Sequence, residues 1–270
     1  MAVKTILVHL GPDPESPHRL AVAADMARRQ DARLLGLYVI LPMDVPGVAI
    51  GDGLNQARDV AADLADREQA AFEAVCAEHG IRGDFIFELG DAAEHLAEHG
   101  RYADLIAVSQ DAPRTAFADF HSDLTEYLPF AASAPVLVLP RGFRGPVDTA
   151  YVAVAWKSGK EAATAVRNAL PLLKEAEQVR VVTVQEQGDD EIRGGGIGRF
   201  LAEHGVKVEL ARITAREGQT GEAILAEAKA SGAGLIVMGV YGHNRLRVRI
   251  LGGVSKYVLG HSPVPLLVSH

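Results

Sequence analysis

Short apolar runs alternate along this chain with longer stretches whose apolar positions recur every three or four residues. Runs such as residues 6–8, 105–108 and 235–238 contain hardly any polar residue, a pattern typical of strands that are buried on both faces. The stretches between the runs have the spacing of amphipathic helices. This alternation predicts an α/β fold in which right-handed crossovers build parallel sheets covered by helices on both sides.

The pattern gives provisional bounds for every element. The predicted strands are residues 5–10, 33–40, 85–89, 105–109 and 136–139, then 151–156, 179–185, 206–212, 235–239 and 264–268. The predicted helices are residues 17–30, 55–79, 92–99, 122–131, 160–173, 197–204, 221–230 and 253–259.

The two halves of the sequence are copies of one unit. A constant shift of 130 residues places residues 103–109 on 233–239, Thr125 on Ser255 and Tyr127 on Tyr257. Such an internal repeat predicts two tandem domains, 1–142 and 147–270, each an open, Rossmann-like parallel sheet of five strands. The last strand of each copy is a predicted edge, and because unpaired edges are liabilities, we expect the two copies to pair as a pseudo-dimer.

Composition narrows the class of protein. The net charge of −8 argues against nucleic acid as the main partner, because phosphate backbones need clustered cations. Cys76 is the single cysteine, so an internal disulfide is excluded, and its apolar neighbours predict a core position. The chain enters its first strand at once and has no run long enough to cross a membrane, from which we expect a cytoplasmic protein.

Glycines cluster after the strand at 235–239. The stretch from Gly239 to Ser255 reads G-x2-G-x9-G-G-x-S and leads from a strand end into a helix that starts near Gly253. Glycines allow a ligand to approach the backbone, and the amides at a helix start attract phosphate. In open parallel sheets the ligand crevice lies beyond the carboxyl ends of the strands. The motif therefore predicts a phosphate-binding loop.

The repeat, the element order and this motif together resemble the universal stress protein family in its tandem form. The resemblance implies an adenine nucleotide, ATP or AMP or ADP, in the second domain, with Mg²⁺ left open. It implies that the strand ends hold the adenine and that the glycine loop wraps the ribose and phosphates. Carried over by position, and with loop neighbours His243 and Arg245 added, the implied binding residues are Ala155, Trp156, Lys157, Val184, Met238, Gly239, Gly242, His243, Arg245, Gly252, Gly253, Val254 and Ser255.

This chain departs from the family pattern in both copies. In the second copy, Gly253 replaces a hydroxyl residue and Lys157 stands where the family usually carries an acid. In the first copy the four glycines are replaced, and one replacement introduces a carboxylate that would repel phosphate. The replacing residues are Ser109, Ala112, Ser122 and Asp123. We therefore expect one nucleotide per chain, bound in the second half.

Three further motifs have simpler explanations. His95 and His99 belong to an H-x-x-E-H spelling, but no third ligand is evident, so we expect an exposed helix face and no metal site. Residues 158–160 read S-G-K without the earlier glycine of a phosphate-binding loop, and Ser158 is interpreted as a helix N-cap. The glycine-rich residues 194–198 lack the last glycine of a dinucleotide fingerprint and predict a flexible connection.

The sequence thus predicts a stress-response regulatory protein that binds an adenine nucleotide, with no catalytic residues assigned. Residues 192–198 and 245–249 are the segments expected to move on binding. Two alternatives stay open, a weak ATPase and an interaction module without nucleotide. The protein partner, and a homodimer beyond the pairing within the chain, also stay open.

Overall fold

The computed structural model describes residues 2–45, 54–111, 124–185, 195–240 and 253–270. These residues form ten strands and eight α-helices that alternate almost throughout, together with two single-turn 3₁₀ helices at Pro42–Asp44 and Gly100–Tyr102. The predicted α/β fold with two repeats is confirmed. Each repeat starts with a strand whose middle residues are buried and continues into an α-helix.

The elements have the following bounds. The strands are β1 (Thr5–Leu10), β2 (Arg33–Ile40), β3 (Gly83–Leu89), β4 (Leu105–Ser109), β5 (Val136–Leu139), β6 (Tyr151–Ala155), β7 (Gln178–Gln185), β8 (Val208–Thr214), β9 (Leu235–Gly239) and β10 (Leu266–Ser269). The helices are α1 (Ser16–Gln30), α2 (Leu54–His79), α3 (Ala92–His99), α4 (Leu124–Ala131), α5 (Lys160–Glu175), α6 (Gly195–Glu203), α7 (Thr220–Ala230) and α8 (Gly253–His261).

The chain divides into two compact units. The first unit comprises residues 2–134 and 141–146, and its strands lie in the order β3-β2-β1-β4. All of these strands run parallel, with Ile6 of β1 beside Leu34 of β2 on one side and Leu105 of β4 on the other. Chain order therefore reverses between β1 and β4, which is where open parallel sheets hold their ligands.

The second unit comprises residues 135–140 and 147–270, with strand order β5-β10-β9-β6-β7-β8. The five strands of the second repeat are parallel to one another, and β5 pairs antiparallel with β10 through Leu137 and Leu267. Pairing between the last strands of the two repeats is thus found, and it places β10 between β5 and β9, so that β10 is not an open edge. In this unit the order reverses between β6 and β9.

An aromatic side chain anchors the long helix α2 to its sheet. Phe72 is buried, and a Cβ added at Gly36 of β2 or at Gly83 of β3 would lie 2.7 or 2.8 Å from its ring. The two glycines make room for the ring, which packs closer to the strands than a side chain there would allow. Cys76, one turn further along α2, is buried in the same contact, as predicted.

One predicted connection is a helix instead. Residues 195 and 196, predicted only as part of a flexible connection, form the first turn of α6 together with residues 197 and 198, which also begin the predicted helix 197–204. Ile197 and Leu201 are buried and fix this turn, and Gly198 packs against Leu210 of β8, to which an added Cβ would come within 3.0 Å. Burial of this apolar face outweighs the weak helix propensity of the glycines. Residue 194 lies outside the described residues.

No helix within the described ranges combines the length and the hydropathy that crossing a membrane requires.

Candidate functional site

The carboxyl edge of the second unit brings several predicted residues together at its switch point. β6 lies between β9 and β7, and its last residue, Ala155, pairs with Met238 of β9 and with Val182 of β7. The pairing with β7 extends one residue further, because the Trp156 amide donates to the Val182 carbonyl over 2.8 Å. Ala155, Trp156 and Val184 are half-buried, whereas Lys157 is exposed. This edge consequently presents an indole and small side chains beside the ends of three parallel strands.

Gly239, the last residue of β9, has a structural reason to be glycine. A Cβ at this position would lie 2.3 Å from the backbone nitrogen of Ala162 and from the carbonyl carbon of Glu161. Both atoms belong to the first turn of α5, and backbone atoms cannot move aside as a side chain can. The glycine thus lets α5 begin directly against the end of β9, an explanation that needs no bound ligand.

The start of α5 differs from its prediction. The N-cap is Gly159, in extended backbone geometry and without a side-chain cap, and the first helical bond runs from the Ala163 amide to the Gly159 carbonyl over 3.1 Å. The prediction that Ser158 caps this helix is therefore wrong, because α5 begins one residue later than a serine cap requires. The first turn of α5 thus reaches the switch point with amides that no side chain caps.

The second helix start of the predicted site is that of α8. A Cβ added at Gly253 would meet nothing within 4 Å, so packing does not require glycine there. Val254 is half-buried and Ser255 is 8% exposed. The other predicted loop residues, Gly242, His243, Arg245 and Gly252, lie outside the described residues, as do residues 192–194 and 245–249 of the segments expected to move.

The corresponding edge of the first unit is filled by charged side chains. Arg19 of α1 is 2% exposed and donates from Nη1 to Ser109 Oγ and from Nη2 to an Asp13 carboxylate oxygen, each over 2.9 Å. Its Nε donates to the carbonyl oxygen of His9 over 2.5 Å. Ser109 is the counterpart of Gly239. The guanidinium thus joins the ends of β1 and β4 at the switch point of the first repeat.

This cluster shifts two pKa values. Burial, and then the positive charge of Arg19, lower the pKa of His9 to about 3, although Asp13 opposes the shift. Burial alone would raise the pKa of Asp13, but the charge and hydrogen bonds of Arg19 hold it below its ordinary value. His9 is therefore neutral and Asp13 ionised at neutral pH, so that Arg19 and Asp13 form a compensated ion pair.

Sequence reasoning missed this cluster, although one signal was present. Arg19 follows Ser16 by three residues and precedes Ala23 by four, and all three are buried on one face of α1. A charged residue inside an apolar stripe requires a buried partner. Asp13, six residues before Arg19 in the sequence, was the candidate partner for this side chain.

Other chemistry is sparse in the part of the chain that the structure describes. No group of three or more His, Cys, Asp or Glu side chains is arranged to hold a metal ion there. His99 of the H-x-x-E-H motif lies 3.6 Å from a carboxylate oxygen of Glu88.

A cleft of about 160 Å³ opens at the opposite, amino-terminal edge of the second unit. Arg180 in that cleft is bound by Glu209 and Glu227, each over 2.7 Å.

Comparison with known proteins identifies a family for both repeats. The family model described as "Universal stress protein family" matches residues 2–140 and again 149–270. No curated protein matches the sequence at a significant level.

Among solved structures, a universal stress protein from Archaeoglobus fulgidus is 21% identical, with a TM-score of 0.75 over 98% of this chain and 95% of its own. A protein of unknown function from Pseudomonas aeruginosa is 16% identical, with a TM-score of 0.59 over 99% of this chain and 92% of its own. At these identities the two structures bear on the fold alone.

Proposed function

The chain belongs to the universal stress protein family, and we propose that its second repeat binds one adenine nucleotide, ATP or AMP, in a regulatory role. The observation that carries this proposal is the difference between the two switch points. In the first repeat Arg19 and its partners fill the carboxyl edge. In the second repeat the same edge carries Ala155, the half-buried Trp156 and Gly239.

The positions of these residues support an assignment of roles. Trp156 continues β6 beyond Ala155 and offers an aromatic face on which an adenine can stack, while Val184 near the end of β7 adds an apolar surface. The amides at the starts of α5 and α8 are donors for phosphate oxygens. Lys157 is exposed and can approach a phosphate as a point charge.

Binding can regulate only if the nucleotide favours one conformation over another, because a ligand with equal affinity for two states shifts neither. The glycine loop between β9 and α8 is the segment that we expect to respond. A hydrolytic role would further require a metal ligand and a group that orients water, and no acid close to the glycine motif in the sequence is an evident choice.

Trp156 provides the test, because it is the only tryptophan of the chain. Titration of the protein with ATP and separately with AMP should change the tryptophan emission saturably. Gly252→Val should abolish the change, since a branched side chain there blocks the approach of phosphate to the backbone. The matched control is Ser122→Val at the equivalent position of the first repeat, which should titrate like the wild type.

Emission that does not respond to either nucleotide, or a response that Gly252→Val leaves intact, would contradict the proposal. Steady-state release of phosphate from ATP, lost in the same variant, would instead favour the weak ATPase.

A further inference from the structure

The first turn of α4 is bound by a carboxylate from a distant part of the chain. One oxygen of Asp111 accepts from the Leu124 amide over 3.0 Å, and the other accepts from the Thr125 amide over 3.1 Å. The Thr125 hydroxyl donates to the second oxygen as well. The carboxylate thus holds two backbone amides and one hydroxyl at the start of a helix, which is a set of donors that a phosphate would use.

This contact differs from an ordinary helix cap. Asp91 caps α3 from the position directly before the helix, with Oδ1 accepting from the amides of Ala93 and Glu94 over 2.9 and 3.2 Å. Asp111 instead follows the end of β4 by two residues and precedes α4 by thirteen. It therefore connects the strand end at the switch point to the start of the helix beyond it, across the place where open parallel sheets bind ligands.

The second repeat lacks this carboxylate. The shift of 130 residues places Tyr241 at the position of Asp111, and Ser255 at the position of Thr125. The second repeat therefore keeps the hydroxyl residue but has a tyrosine in place of the acid. Asp111 thus adds a further difference between the repeats to the four replaced glycines.

A second observation concerns the same edge. Arg19 fills the space between the ends of β1 and β4 and binds Ser109, which lies two residues before Asp111. The first repeat thus carries two charged side chains of its own at this edge. The guanidinium of Arg19 binds Ser109, and the carboxylate of Asp111 follows two residues later in the sequence. Both side chains, Arg19 and Asp111, are hydrogen-bonded to residues of the same unit.

We propose that Asp111 is a built-in occupant of the anion position at the start of α4, and that it closes the first repeat to outside phosphate ligands. The contact is autoinhibitory, because a phosphate could reach these amides only by displacing a carboxylate that is tethered to β4. A tethered group competes at a high effective concentration. It also repels a second anion.

The test uses inorganic phosphate as the probe and no nucleotide, so its outcome is independent of the proposal for the second repeat. Asp111→Ala should lower the melting temperature by roughly 2–8 °C, because the helix start loses its partners. With Asp123→Asn added, so that the carboxylate directly before α4 in the sequence does not repel the probe, phosphate at constant ionic strength should then recover most of this loss saturably. The wild type should show no such response.

Asp91→Ala is the matched control, because it uncaps another eight-residue helix of the same repeat. Asp111→Ser, which keeps a small polar side chain and leaves room for an anion, serves if the alanine variant does not fold, and it should also be stabilised by phosphate. Stabilisation confined to the Asp111 variants supports the proposal. Equal responses of the Asp91 and Asp111 variants, or no response of either Asp111 variant, would overturn it.

Discussion

His9 should make the stability of this protein fall as the pH drops below neutrality. The imidazole is 8% exposed at the end of β1, and its pKa lies near 3 in the folded chain against 6.5 in an unfolded one. Between these two values the unfolded chain binds a proton that the folded chain excludes. The contribution of His9 to the free energy of unfolding is therefore fully present above about pH 6.5. It is lost progressively as the pH falls toward 3.

The size of the effect follows from the two pKa values. Protonation of the histidine in the unfolded chain lowers the free energy of unfolding by about 0.7 kcal/mol between pH 7 and pH 6. Between pH 7 and pH 5 it lowers this free energy by about 2 kcal/mol. Asp13, whose pKa is below its ordinary value of 3.8, adds to the loss only at more acidic pH. The interval above pH 5 therefore separates the contribution of His9 from that of Asp13.

Urea unfolding at pH 7, 6 and 5 measures the effect, and His9→Gln is the comparison. Glutamine is of similar size and does not titrate, and the carbonyl of residue 9 that accepts from Arg19 is retained. The other histidines contribute equally to both proteins, so the difference between the two pH profiles belongs to residue 9. We expect the wild type to lose about 2 kcal/mol more than the variant between pH 7 and pH 5.

Parallel pH profiles of the two proteins would refute the reasoning. An NMR titration of the folded protein in which the His9 imidazole takes up a proton near pH 6.5 would refute it as well, since the burial and the charge of Arg19 would then have no effect.

Further substitutions test the packing. Gly239→Ala should destabilise the nucleotide-free protein by about 1–3 kcal/mol, because the new Cβ overlaps the backbone of α5; Gly253→Ala, with open space around it, is the control and should be within about 1 kcal/mol of the wild type. Equal urea midpoints for these two variants would remove the structural explanation of Gly239. Phe72→Ala should cost about 3–5 kcal/mol by the same assay, since the ring fills the space above two glycines, and a loss below about 1 kcal/mol would show that α2 is anchored elsewhere. Cys76 should resist alkylation in the folded protein and react fully in urea, because burial, followed by Glu73 and Asp84, raises the pKa of its thiol; rapid labelling without urea would contradict the buried position.

The fold could be predicted because its signals are local. Strands such as β4 and β9 are runs of apolar residues with no polar interruption, and the helices between them show apolar stripes at the matching period. Because the two halves are repeats, the order of strands and helices assigned to one half also predicted the order in the other. Bounds shifted by a few residues where the apolar run continues into a turn, as at β8 and β10.

The candidate site could be predicted only in outline. Gly239 was interpreted as a place where a ligand approaches the backbone, but the approach found there is that of α5, which no spacing in the sequence reveals. The Asp111 contact joins residues thirteen positions apart across a connection, and only the fold brings them together. Arg19 was detectable as a charge on an apolar face, although its partners were not.

Native mass spectrometry of the intact chain in the presence of ATP tests the central claim most directly, because it counts bound ligands on each molecule. The difference between the charged cluster at the first switch point and Ala155, Trp156 and Gly239 at the second predicts a single added nucleotide mass at saturation and no second one. A chain that binds two nucleotides, or none, would contradict the account.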